Sequence, residues 1–166
     1  MKKLIWISLS LALWTAIAIE TSAQELHRDI LGIRLNMTEK EAHERLKAIG
    51  SFVRNEEKRQ EVWQVRDESF SHLLIGFGKD EKVRYVTAVA REDKDARRVA
   101  YEEIGNLKKA RQAGDPRINN FRYEWELPAE KDNPHTLVIA LGRDPKFLTT
   151  YSLKRLSDNS AAEEND

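Results

Sequence analysis

Four histidines, His27, His43, His72 and His135, are the residues of this chain best suited to hold a metal ion or move a proton. Imidazole titrates near neutrality and offers a nitrogen lone pair, so a paired arrangement would be informative. No two of them stand four apart, the spacing that puts two imidazoles on one helix face, and no His-Glu-x-x-His run occurs. His72 and His135 instead open two matching apolar runs, which predicts a shared structural place at strand starts. Serine offers no better start: Gly-x-Ser-x-Gly is absent, and Ser69 and Ser71 lie in a polar stretch without a marked histidine and acid partner. Seven glycines form no phosphate-cradling loop. The carboxylates Glu39, Glu41, Glu44, Glu56, Glu57, Glu102 and Glu103 interleave with Lys and Arg, the pattern of a solvated helix face. The chain has no cysteine, which excludes a disulfide scaffold, a thiolate zinc site, a cysteine nucleophile and an N-terminal lipidated cysteine. No catalytic, cofactor-binding or metal-binding residue is assigned, no cofactor is expected, and the chain is not expected to be an enzyme.

The aromatic residues are more promising. Phe121, Tyr123, Trp125 and Leu127 alternate with Arg122, Glu124 and Glu126, so they line one face of a strand. Trp63 holds the matching place earlier in the chain, and Tyr85 and Tyr151 stand in the last strand of each half. Such a stripe is either the core face beneath helices or, in part, an open platform for a partner. Trp and Tyr are enriched at interaction hot spots. Tyr123, Trp125, Trp63, Tyr85 and Tyr151 are therefore the candidate protein-binding residues.

The elements that would carry them follow an export signal. Lys2 and Lys3 precede an uncharged run from Leu4 to Ile19, and small residues follow at Thr21, Ser22 and Ala23. Residues 1–23 are expected to be a cleaved signal peptide, since 16 residues fall short of the roughly 20 needed to span hydrocarbon. Export would leave Gln24 as the first residue, in a periplasm or outside the cell, with no stable membrane anchor. The whole chain holds 28 basic and 28 acidic residues among 166, far from the basic excess of a nucleic-acid binder. Nucleic acid is not expected as a partner. Residues 157–166, with four acids and no base, are expected to be a disordered tail.

Between signal and tail, residues 24–156 read as one domain. Thr38 with Glu41 three residues later is a capping box, predicting a helix from there to about Ile49 with Gly50 as its stop. Strands are expected around Phe52–Val53, 61–65, 72–77 and 83–90, the last two forming a hairpin around Gly78. Asp93 to Ala113 carries Ala96, Val99, Ala100, Ile104, Leu107 and Ala110 at helical spacing, although Gly105 costs about 1 kcal/mol inside a helix. Strands are then expected at 121–127, 135–141 and 147–156. Gly78-Lys79-Asp80 lines up with Gly142-Arg143-Asp144, as do His72 with His135 and Trp63 with Trp125. The expected class is thus α+β: tandem αβββ halves, about 30–92 and 93–156, forming an antiparallel sheet with helices packed on one face.

The run Gly32-Ile33-Arg34-Leu35-Asn36-Met37-Thr38-Glu39-Lys40-Glu41, with Leu46 and Gly50 behind it, resembles the helix-opening motif of the BamE (SmpA/OmlA) outer-membrane assembly lipoproteins. The tandem layout is similar to that of the β-lactamase-inhibitor protein. The resemblance covers mainly residues 30–90 and departs at Asn36, where the family has glycine, and at Ile49-Gly50-Ser51. It implies an exported module that acts by binding another envelope or secreted protein. A proteinaceous enzyme inhibitor and a secreted hydrolase with an unrecognised site are the alternatives.

Overall fold

A computed structural model describes residues 26–56 and 59–156. The expected signal peptide and acidic tail lie outside the described residues. Two short strands, β1 (Asp29–Ile30) and β2 (Ile33–Arg34), form a hairpin around Leu31 and Gly32. Both turn residues have positive φ, 54° and 82°, as two-residue hairpin loops demand. Helix α1 (Glu39–Ile49) follows, and its capping box forms as spaced: Glu41 N–H donates to the Thr38 hydroxyl, and Thr38 N–H donates to the Glu41 carboxylate at 2.8 Å. Strands β3 (Gly50–Glu56), β4 (Gln60–Val65), β5 (Phe70–Phe77) and β6 (Val83–Ala90) then form a meander. A one-turn helix α2 (Tyr101–Ile104) and β7 (Arg111–Gln112) lead to β8 (Phe121–Leu127), β9 (Thr136–Gly142) and β10 (Thr150–Arg155).

The eight strands from β3 onward make one antiparallel sheet in the order β3-β4-β5-β6-β10-β9-β8-β7. Each meander thus ends at the centre, where β6 pairs with β10. The α+β expectation is corrected here. The protein is mainly β, and α1 is the one helix longer than a single turn among the described residues.

The helix expected over Asp93–Ala113 does not form, because its backbone is engaged elsewhere. Val99 C=O accepts from Leu148 N–H and Tyr101 N–H donates to Lys146 C=O, tying this segment to the lead-in of β10. Beyond α2, Asn106 accepts from Lys108 N–H and starts a 3-10 turn over Leu107–Lys109. Val99, Tyr101 and Ile104 are still buried, but through an extended stretch and one turn. Helix nucleation, which fixes several residues for its first hydrogen bond, had to compete with these tertiary bonds and with Gly105. The halves therefore share their strands, not a second full helix.

The core lies on one face of the sheet. Its register aligns Trp63, Leu73, Ala88, Tyr151, Ala140 and Tyr123 in one row, and Glu61, Ile75, Val86, Leu153, Val138 and Trp125 in the next. Leu46 and Ala42 of α1 and Ile30 and Ile33 of the first hairpin join the same hydrophobic cluster. In the second half Trp125 donates to Asn106 C=O at 3.1 Å, and the Tyr101 and Tyr123 rings meet at 4.8 Å. No helix among the described residues is long and apolar enough to cross a membrane.

Candidate functional site

A strand sends alternate side chains to opposite faces, so the register that fixes the core also fixes what lies on its reverse. Three rows cross that second face. One runs Val62, Leu74, Thr87, Ser152, Ile139, Glu124; a second runs Gln60, Gly76, Tyr85, Lys154, Leu137, Glu126. The third runs Gln64, His72, Val89, Thr150, Leu141, Arg122. Apolar side chains sit in two groups, Val62, Leu74, Val89 and Tyr85 on one meander and Leu137, Ile139 and Leu141 on the other; Val62 is buried and the other six are half-buried. Between them runs a polar central strip, where the Thr87 and Ser152 hydroxyls hydrogen-bond at 2.8 Å across the β6–β10 join. The contacts of α1, α2 and the β1–β2 hairpin described above all fall on the first face. Among the described residues, no helix packs on the second.

Its margin is organised by charge. The Glu124 carboxylate, 3% exposed, accepts from Arg122 Nε at 2.6 Å and is also bonded by Arg111. Two guanidiniums thus compensate one buried acid, which removal of a single partner would leave costly. Inside the face, Tyr85 lies across Gly76 so closely that a Cβ there would stand 2.1 Å from the ring. The same tyrosine donates to Gln60 Oε1, and burial pushes its hydroxyl above the ordinary range. Tyr85 is therefore held flat on the sheet.

The five candidate binding residues separate under this geometry. Trp63, Trp125 and Tyr151 are 4%, 4% and 6% exposed and belong to the core. Tyr123, half-buried, packs between Tyr101 and Trp125 on the same covered face. Tyr85 alone stands on the uncovered side. On β8, Trp125 is buried in the core, and Phe121, Tyr123 and Leu127 pack against it half-buried. Four of the six half-buried apolar residues of the second face, Leu74, Leu137, Ile139 and Leu141, were present in the consecutive hydrophobics of the runs 72–77 and 135–141, and Tyr85 and Val89 in the run 83–90. An apolar run without alternation is the signal of a strand with apolar side chains on both faces.

A cleft of about 920 Å³ opens at the end of the sheet between the β6–α2 connection and the β9–β10 loop. Its charges are largely spent on one another. Arg98 lies over the Phe147 ring at 4.0 Å and donates to Asp144 at 3.1 Å, and Arg91 pairs with Asp93 at 3.2 Å. Backbone bonds from Lys146 and then the Arg98 guanidinium hold the Asp144 carboxyl below its usual range. Elsewhere Glu39, His43 and Glu61 bring one imidazole and two carboxylates together between α1 and β4.

No family model matches the chain, and neither a curated protein nor a solved structure does. The resemblance carried by Gly32–Gly50 is therefore supported by those residues alone.

Proposed function

We propose that this chain is an exported, non-enzymatic protein-binding module of the cell envelope or periplasm, and that it meets its partner with the uncovered face of the eight-stranded sheet. One observation carries the reading. Six half-buried apolar side chains, Leu74, Tyr85, Val89, Leu137, Ile139 and Leu141, share a sheet face on which no described helix packs. Apolar surface that the described elements leave open is where a partner would gain most by burial. Export rests on the residues of the N-terminal segment, and the absence of enzymatic activity rests on the absence of any catalytic spacing in the sequence.

Magnitude bears on the kind of partner. Six strands about 4.8 Å apart and three rows about 6.8 Å apart span roughly 300–600 Å². Doubled across two partners, that falls in the weak to transient class of interfaces, below about 1,200 Å². The fitting partner is an envelope or secreted protein offering a small apolar patch with mixed charge around it. Inhibition of an enzyme would be one form of the same contact.

Leu74→Arg and Leu141→Arg place a charge in each apolar group while a long stem preserves part of the packing. Crosslinking followed by affinity capture from envelope and secreted fractions is expected to recover one protein with the parent chain and to lose it with either variant. Circular dichroism of each variant confirms its fold. Equal recovery with both folded variants would remove the uncovered face as the binding surface.

A further inference from the structure

We infer that Glu39, His43 and Glu61 form a binding site for a divalent transition ion, with Zn²⁺ the best match to the donor set. Glu39 and His43 stand four apart on α1 and so project from one face of the helix. Glu61 comes from β4, which α1 covers. One ligand atom from each of the three lies within 4.8 Å of the other two. An ion about 2.1 Å from each donor spans separations up to about 4.2 Å, so a small side-chain rotation of Glu39 completes the set. One imidazole with two carboxylates suits zinc and its neighbours in the first transition row. Calcium and magnesium favour an all-oxygen shell.

The surroundings are those of a built site. His43 Nε2 is 3.0 Å from both oxygens of Glu61, so the imidazole edge is already aimed at the carboxylate. The ring is held by Trp63, tilted at 5.9 Å, and by Phe77, edge-on at 5.6 Å. The Trp63 indole N–H donates to Glu61 Oε2 at 2.8 Å. That bond orients the carboxylate, in the manner of the outer partners of metal ligands. Arg59 donates to Glu39 at 3.0 Å and occupies the position an ion would compete for. Binding exchanges the His43–Glu61 hydrogen bond and the Arg59–Glu39 pair for three metal–ligand bonds. Water fills the remaining coordination positions.

The test uses the full chain without a histidine tag, stripped with chelator and titrated with zinc chloride against a chromophoric competitor. One ion per chain is expected, with the cobalt-substituted protein showing visible d–d absorption and nitrogen NMR placing the ion on His43. Both His43→Gln and Glu39→Gln are expected to abolish saturable binding, and Glu39 is exposed enough that its variant should keep the fold. Trp63→Phe should weaken binding by about 10- to 100-fold. Arg59→Gln should tighten it, because Glu39 is released; a purely structural His43–Glu61 pair predicts no binding to tighten. Glu44→Gln, an acid of the same helix outside the cluster, should change nothing. Absence of saturable zinc binding, or binding that persists in folded His43→Gln chain, would overturn the site.

Discussion

Tyr101 shows how much one buried hydroxyl can report. It is 1% exposed and donates to the Asp144 carbonyl at 3.2 Å. Burial first, then Tyr123 and the Asp144 carboxylate, pushes its hydroxyl up to about 12. An unfolded tyrosine ionises near 10, so the folded chain holds this proton more tightly. The resulting stability is complete below about pH 10 and is lost as pH rises towards 12. Burial shifts Tyr151 in the same direction, with Asp29 adding to it. Tyr101→Phe should therefore cost about 1 kcal/mol at neutral pH through the lost hydrogen bond and should flatten the decline between pH 10 and 12. Urea unfolding across that range measures both; an unchanged alkaline slope would place Tyr101 outside the protected core. At this scale the sequence was informative about caps and less so about sites. The Thr38–Glu41 box is local and survives any tertiary arrangement. The Glu39–His43 spacing is equally local, but a single carboxylate–histidine pair is ordinary on a solvated helix, and Glu61 joins it only through folding.

Among the elements, those with strong local signals formed where their residues placed them. The runs at 121–127 and 83–90 became β8 and β6 with the expected bounds, because alternation on a half-covered sheet is a local pattern. The segment 93–113 failed for the opposite reason. Its helical spacing was real, but burial of Val99, Tyr101 and Ile104 could be met equally by an extended segment paired to the lead-in of β10. Nothing in its own residues revealed that competitor. The passage from α1 into β3 is a further constraint that only the fold exposes. Gly50 ends the helix with extended dihedrals, and a Cβ there would stand 2.1 Å from the Gln64 carbonyl oxygen of β4. Backbone cannot swing aside as a side chain does. Gly50→Ala should destabilise by about 1–3 kcal/mol, the usual cost of overpacking, read as a lower urea midpoint at unchanged slope. Wild-type stability in that variant would mean that β3 and β4 are farther apart at this point than the register implies.

For the whole molecule, the decisive fact is that one sheet has two unequal faces. The first gathers α1, α2, the β1–β2 hairpin and the aromatic stripe into the core. The second carries apolar side chains from both meanders and receives no described helix. From the sequence, the stripe of Tyr123 and Trp125 could be either the core face or, in part, an open platform, since large aromatics serve both. Which face the helices would cover depends on chain path, and one strand's alternation is the same whichever side is buried. The consecutive hydrophobics at 72–77 and 135–141 held the missing information: apolar residues on both sides of a strand ask for two coverings, and the described residues supply one. The most direct measurement introduces a photo-crosslinking amino acid at Ile139 on the uncovered face, and separately at Glu44 on the outer side of α1, in the cells that make the protein. One discrete adduct is expected from position 139 and none from position 44. An adduct from 44 alone, or the same adducts from both, would contradict binding through the uncovered face.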